Sequence, residues 1–198
     1  ELDLPELCEL RSKLHFGASF TAAYRMLAEA YAILTRAVYV EADGFEHCIE
    51  QYIQSDYQLD WHYRQFYTAY DALSAPDDFA QLRELVENVY TNEYLGHQLP
   101  AWNRALMERG SFRNLPRQID FYRDKVKYKR EKTVVIISDA LRYEVGQELF
   151  TKLADGARYT AKLDYMLSTL PSYTRLGMSA LLPHRQLELT EAGQERVD

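Results

Sequence analysis

The sequence is poor in residues that interrupt regular structure and in residues that build disulfide frameworks. Its 198 residues include 8 Gly, 6 Pro and 2 Cys. Cys8 and Cys48 lie in helical-looking sequence without metal-ligand spacing, which argues against a disulfide scaffold and favours a reducing cytoplasm. No apolar run approaches the roughly 20 residues that span a bilayer, and no basic-then-apolar signal stretch opens the chain. We therefore expect a cytoplasmic protein with no membrane partner.

Positive charge is scarce in most of the chain. Residues 1–122 carry 10 Lys and Arg against 19 Asp and Glu, whereas residues 123–132 (RDKVKYKREK) carry six basic groups against two acids. The acidic first part is a poor surface for a nucleic-acid backbone. The basic run is typical of a solvated helix end or linker, and the alternative is a local contact with an anion.

Residues 1–131 show the patterns of a helical region. One apolar stripe steps by four and three residues, and its members are Phe20, Tyr24, Leu27, Tyr31, Leu34 and Val38. Asp60 is predicted to be the N-cap of a helix over WHYRQFYTAYDAL, and Gly96 and Pro100 are predicted to interrupt a later helix. No 34-residue self-similarity of the tetratricopeptide kind is visible, so a helical scaffold is the default.

The period changes at Lys132. The consecutive β-branched residues Val134–Ile137 indicate a strand covered on both faces, as in a parallel sheet flanked by helices. A helix should follow, with Leu141, Val145, Leu149 and Leu153 at four-residue steps, and Gly156 should end it.

A second strand over 157–167 and a second helix, introduced by Pro171-Ser172 and running through Leu182, should come next. Strand, helix, strand and helix open an α/β domain. The predicted fold class is therefore α + α/β, with a helical region at 1–131 and the start of an α/β domain at 132–198.

Polar residues follow both predicted strands, where ligands sit in open α/β sheets. Asp139 is placed as a hard metal ligand, or alternatively as an N-cap for the next helix. Thr174 stands near the start of the second helix and could attack phosphorus if a cation lowered its pKa. The alternative for Thr174 is an ordinary first-turn residue. Arg142 could contact phosphate or lie solvated, and His184 is more typical of a loop histidine than of a ligand.

Two motifs, ISDALRYEVGQEL (137–149) and YMLSTLPSYTRLGMSALLPH (165–184), resemble the start of the PglZ domain, a branch of the alkaline phosphatase superfamily. PglZ proteins belong to BREX, a bacterial phage-defence system. The helical segments DWHYRQFYTAY, LRELVENVYTNEYL and LPAWNRAL are also similar to the region that precedes that domain.

The resemblance implies a two-metal site, commonly zinc, that acts on phosphate esters. Carried over by position, Asp139 matches the first metal-binding aspartate, and Thr174 matches the nucleophile, which also touches a metal. Nothing in the chain matches the later Asp and His ligands of the superfamily. Because the chain also begins with Glu1 rather than Met, we expect a fragment that is inactive alone.

Two functions follow from this pattern. The first is part of a metal-dependent phosphate-ester hydrolase (a phosphatase, phosphodiesterase or nuclease) of a BREX system, with a phosphate-ester or nucleic-acid substrate and other defence proteins as partners. The alternative is a non-catalytic helical scaffold that binds proteins within a defence complex.

Overall fold

The chain divides into two compact units, Glu1–Gly110 and Ser111–Asp198. A computed structural model describes residues 3–156, 160–189 and 195–197. The domain boundary at 131/132, which rests on the change of sequence period, stays a prediction. Within the described ranges, no helix combines the length and the apolarity that crossing a bilayer requires.

Helices make up most of the first unit. The α-helices of its described part are α1 (Leu4–Ser12), α2 (Thr21–Arg36), α3 (Phe45–Gln51), α4 (Tyr57–Tyr70), α5 (Ala80–Glu87) and α6 (Gly96–Glu108). Short 3-10 helices precede α2 and α5, at His15–Phe20 and Pro76–Phe79. Turns of π-helix at Tyr52–Asp56 and Asn88–Leu95 join α3 to α4 and α5 to α6. The backbone is therefore helical without a break over 45–70 and over 80–108.

The core of the first unit lies between α2 and α4. The α2 residues that it buries are Met26, Ala30 and Ile33, and they belong to one cluster with Leu59 and Phe66 of α4. The stripe predicted from Phe20 to Val38 is wrong as the buried face. Its two end members lie outside α2, and Tyr31 and Leu34 within α2 are each 37% exposed. The apolar residues of α2, TAAYRMLAEAYAILTR, cover a broad arc of the helix, so the period alone does not show which part of that arc is buried.

Asp60 lies inside α4 and is not an N-cap. Since α3, the π-helical turn and α4 are continuous, no helix begins at Asp60. Its carboxylate accepts hydrogen bonds from the hydroxyls of Tyr52 (2.5 Å) and Tyr90 (2.7 Å). Burial, and then the Asp60 carboxylate, raise the pKa of Tyr90 well above its usual range. Asp60 thus joins the two π-helical segments, which a local capping pattern could not predict.

Gly96 and Pro100 do not break the helix, which is a second correction. α6 runs from Gly96 to Glu108 with Pro100 inside it. A proline removes one backbone donor and crowds the preceding turn. The π-helical turn Asn88–Leu95 comes directly before, and such widened turns accommodate irregular hydrogen bonding within a continuous helix.

The second unit contains the predicted pair of helices. They are α7 (Tyr143–Ala154) and α8 (Thr174–Leu181). A 3-10 helix (Gln118–Asp120) and a π-helical turn (Tyr122–Val126) lie before them. Strands β1 (Leu187–Leu189) and β2 (Glu195–Val197) form an antiparallel pair after them, with Glu188 opposite Arg196. The sequence-based prediction did not include this pair.

The two predicted strands form no ladder within the described residues. Residues 132–138 are neither helix nor strand, and Val134 and Ile136 are 75% and 86% exposed. Residues 160–170 alternate between exposed and half-buried side chains, which is the period of an extended segment with one covered face. Leu167 makes a single parallel bridge, with Arg117. Residues 157–159 lie outside the described residues, so the α/β arrangement stays a prediction.

Candidate active site

Asp139 stands at the end of the extended segment 132–138, in a turn that leads into α7. Its Oδ1 accepts a hydrogen bond from the backbone N–H of Ala140, at 3.0 Å. Ala140 has φ +50°, in the left-handed region that costs an L-residue with a side chain roughly 1–2 kcal/mol. The backbone N–H of Arg142 then donates to the carbonyl of Ala140 at 2.9 Å, which closes the turn. The carboxylate of Asp139, directly before the strained residue Ala140, is therefore held at the surface and exposed to solvent.

Thr174 is the first residue of α8, and Tyr173 precedes it in an extended conformation. Its Oγ1 lies 3.4 Å from Oδ1 and 3.5 Å from Oδ2 of Asp139. Hydroxyl-to-carboxylate hydrogen bonds are normally about 2.5–2.8 Å long, so the threonine faces both oxygens without a tight bond to either. The structure therefore brings together two residues that stand 35 positions apart in the chain, both exposed to solvent.

Other predicted positions lie apart from this pair or in a different role. His184 follows α8, and its Nδ1 is 2.8 Å from the carbonyl oxygen of Leu182. Ser172 lies outside α8, two residues before its first position. Within the described residues, no group of three or more His, Cys, Asp or Glu side chains is placed to hold a metal ion. Asp139 and Thr174 are thus the two predicted site residues whose side-chain oxygen atoms lie close together.

Glu144 is a buried carboxylate beside this turn that the sequence-based prediction missed. Its side chain is 0% exposed, Oε2 accepts from the backbone N–H of Val145 at 3.0 Å, and Oε1 lies 3.3 Å from Nη2 of Arg142. A buried carboxylate is retained when it is paired. Its place in the first turn of α7 is a weak signal, because acids are common there for the sake of the helix dipole.

Gln118 fastens the segment that leads to Thr174. Its side-chain Oε1 accepts hydrogen bonds from the backbone N–H (3.0 Å) and the hydroxyl (3.2 Å) of Thr169. Its backbone N–H donates to the carbonyl of Leu167 at 2.8 Å. The other end of the same amide lies against α8, since a Cβ at Gly177 would come within 3.2 Å of its Nε2. One side chain therefore contacts both the approach to the helix and the helix itself.

The sequence of this chain matches those of known proteins. Residues 121–197 match the family model described as the BREX system PglZ alkaline phosphatase-like domain. An alkaline phosphatase-like protein PglZ from Bacillus cereus (strain H3081.97) is 34% identical over 205 residues, covering 98% of this chain and 24% of that protein. No solved structure gives a significant match.

A second relative is the alkaline phosphatase-like protein BrxZ from Escherichia coli O9:H4 (strain HS). It is 42% identical over 116 residues, which cover 54% of this chain and 13% of that protein. The second unit thus carries part of an alkaline phosphatase-like domain. The chain belongs to the PglZ family, so the resemblance predicted from the two motifs is confirmed. The chain spans about a quarter of the length of the first relative and a smaller share of the second.

Proposed function

We propose that the chain is part of a metal-dependent phosphate-ester hydrolase of a BREX defence system, with Asp139 as a metal ligand and Thr174 as both nucleophile and metal ligand. The observation that carries the proposal is the approach of Thr174 Oγ1 to both carboxylate oxygens of Asp139, at 3.4 and 3.5 Å. The family match and the order of the two motifs support the same assignment.

The separation of these oxygens suits two ligands of one ion. Zinc–oxygen bonds are about 2.0–2.2 Å, and two ligands at a tetrahedral angle on such an ion would lie roughly 3.4 Å apart. Zinc prefers about four ligands, and the described residues supply these two. We therefore propose that further ligands come from elsewhere in the protein and that this chain by itself is inactive.

The chemistry assigned to the chain's own residues is simple. The hydroxyl of Thr174 loses its proton to solvent and its oxygen forms a bond to phosphorus, while the bond from phosphorus to the ester oxygen breaks and the leaving alcohol takes up a proton. Water then cleaves the phosphothreonine and releases the phosphate, and Asp139 fixes the position of the attacking oxygen. The position of Thr174 at the N-terminus of α8, where the helix dipole is positive, favours an anionic phosphate beside it. When bound, zinc would lower the pKa of the hydroxyl and stabilise charge on the phosphate oxygens.

We propose that residues 132–138 and 160–167 serve as strands of an α/β sheet in the whole hydrolase domain. The exposed run through Val134 and Ile136, and the alternating exposure after residue 160, support this arrangement. The substrate class is a phosphate monoester, a nucleotide diester or a nucleic acid. Other BREX proteins are its proposed partners, and the cytoplasm its proposed location.

The test compares variants of the protein that carries the whole hydrolase domain. Asp139→Ala and Thr174→Ala should each lower the turnover of a chromogenic phosphate ester by about 10³-fold or more, because ligand and nucleophile act as one unit. Thr174→Ser keeps a hydroxyl and should retain part of the activity. Asp139→Ala should also lower the bound zinc, measured by elemental analysis.

The matched control is Asp155→Ala, which removes an exposed carboxylate at the end of α7 and should leave turnover and zinc content unchanged. Unchanged far-UV circular dichroism would show that the variants are folded. Wild-type turnover by Asp139→Ala would refute its role as a metal ligand.

A non-catalytic protein-binding scaffold is the second candidate. It is favoured by exposed aromatic side chains in the helical unit, where Phe16 and Phe20 are 59% and 57% exposed. A phage-protection assay separates the two candidates. The hydrolase requires that Thr174→Ala abolish protection, whereas the scaffold requires that Phe16→Ser and Phe20→Ser abolish it while Thr174→Ala does not.

A further inference from the structure

The second unit has an open cavity beyond the C-terminal end of α8, whereas Thr174 lies at the other end of that helix. Its volume is about 490 Å³, and residues of 117–127 and 182–187 line it. Ligand pockets for small molecules are about 300–1,000 Å³, so the cavity has room for a nucleotide-sized group. Thr174 begins α8 and the lining residue Leu182 follows its last residue. An eight-residue helix, about 12 Å long, therefore separates the two places.

The lining is cationic in a chain whose net charge is −7. Among the described lining residues, four are permanent cations (Arg117, Arg123, Lys127 and Arg185) and one, Asp120, carries a carboxylate. Like charges gathered around one concave surface repel one another, and a bound anion relieves that repulsion. The cavity therefore has the charge expected of an anion site.

A buried carboxylate arranges two of these cations. Asp120 accepts from Nε of Arg117 at 2.6 Å through Oδ2, and from Nη1 of Arg123 at 2.9 Å through Oδ1. Its own side chain is 12% exposed. Arg123 also pairs with Asp124, at 2.7 Å from Nε and 3.1 Å from Nη2, so two carboxylates hold these two guanidinium groups in place. A guanidinium presents five donors, so each arginine keeps further N–H groups for a ligand.

Two further cations line the cavity. Lys127 belongs to the basic run, and Arg185 belongs to the segment after α8. Within the described ranges neither forms an ion pair with a carboxylate. The ammonium of Lys127 lies 5.2 Å from the centre of the exposed Tyr128 ring. Both remain available for an anion. Tyr122 and Pro183 add apolar surface to the same lining, which suits a ribose or base beside a phosphate.

We propose that this cavity is a binding site for the phosphate group of a nucleotide, held by the two arginines that Asp120 orients together with Lys127 and Arg185. Paired N–H donors on planar guanidinium groups match phosphate oxygens in geometry and charge. The basic run, which has the composition of a solvated linker, here supplies part of a site. The proposal does not depend on hydrolysis at Thr174.

The experiment measures binding to the 198-residue chain by calorimetric titration, with a chelator present, at low and moderate salt. The probes are inorganic phosphate, adenosine monophosphate and a short single-stranded oligonucleotide. Lys127→Gln and Arg185→Gln should each weaken nucleotide binding by about tenfold or more, because each removes a charged hydrogen-bond donor. Both residues are exposed, so the variants should melt at the wild-type temperature.

The matched control is Lys152→Gln, which removes the same charge from α7, where Lys152 pairs with Glu148 at 2.6 Å outside the cavity. Its binding should equal that of the wild type. If phosphate alone binds as tightly as the nucleotide, the phosphate group is the recognised part, as proposed. Tighter binding of the oligonucleotide, with the same two losses, would identify a strand as the source of that phosphate. No nucleotide binding at millimolar concentration, or equal effects of Lys127→Gln and Lys152→Gln, would overturn the proposal.

Discussion

Replacing Gln118 by alanine tests whether one side chain outside the family match holds the approach to Thr174. Gln118 lies before residue 121, where the match to the PglZ domain begins. Its Oε1 is the acceptor for the backbone N–H and the hydroxyl of Thr169, at 3.0 and 3.2 Å. Gln118→Ala removes both bonds and the contact of Nε2 with the surface of α8 at Gly177.

The size of the effect follows from those two bonds. A neutral hydrogen bond contributes about 0.5–1.5 kcal/mol net, so two of them amount to roughly 1–3 kcal/mol. Because Gln118 Oε1 accepts a hydrogen bond from the backbone amide of Thr169, the loss of stability should be largest at that amide. If local opening governs exchange, the Thr169 amide should exchange about 5-fold to 150-fold faster in Gln118→Ala than in the wild type.

Hydrogen exchange followed residue by residue is the assay, and two variants make it specific. Gln118→Glu keeps an oxygen acceptor and should leave Thr169 protected to within a few-fold. Gln186→Ala removes an exposed glutamine whose side-chain amide donates to the carboxylate of Glu188, and it should not change the exchange of the Thr169 amide at all. Unchanged exchange at Thr169 in Gln118→Ala would refute the reasoning, as would equal losses in Gln118→Ala and Gln118→Glu.

Two further predictions concern stability. Asp60→Ala should lower the free energy of unfolding of the helical unit by about 3 kcal/mol or more, because two tyrosine hydroxyls lose a charged acceptor. Tyr52→Phe should lower it by less. A loss under about 1 kcal/mol for Asp60→Ala, measured by urea denaturation, would contradict the prediction. Ala140→Gly should raise stability by roughly 1 kcal/mol, because glycine adopts φ +50° without the Cβ clash. A lower melting temperature in Ala140→Gly would show that the turn is not strained.

Helix positions in the second unit follow from local sequence. The four-residue steps from Leu141 and the stop at Gly156 predicted α7, which runs from Tyr143 to Ala154. The Pro171-Ser172 pair placed the start of α8 within two residues of Thr174. Both signals depend on residues within one or two helical turns, and the tertiary contacts of these helices do not override them.

The errors in the first unit have a different cause. Period alone could not select the buried face of α2, because apolar residues cover a broad arc of that helix. Asp60 has the residue type of an N-cap, yet its partners Tyr52 and Tyr90 are 8 and 30 positions away. The residues Gly96 and Pro100 break isolated helices, but the helical segments around them are held by packing in a larger core.

The candidate site was predictable to the extent that it lies in two motifs. The strand-end position of Asp139, the helix start near Thr174 and the resemblance of both motifs to the PglZ domain made these two residues candidates, and the structure shows their side chains in proximity. Gln118 gave no signal, since a glutamine 51 positions before Thr169 belongs to no local pattern. In the sequence, Asp120 and Arg123 belong to an ordinary charged stretch. Only the structure shows that both of them line the cavity.

The same physical limit explains why the predicted strands form no ladder. A helix satisfies its backbone hydrogen bonds within one segment, whereas a strand takes its partners from another segment. The four consecutive β-branched residues Val134–Ile137 predict only that both faces of a strand at this place should be covered by other parts of the protein. The exposure of Val134, Val135 and Ile136 leaves that requirement unmet within the described residues. Leu167, by contrast, has a backbone partner in the segment of Arg117 and makes a bridge. Strand formation at 132–138 therefore depends on which backbone lies beside it, and the segment's own sequence cannot supply that information.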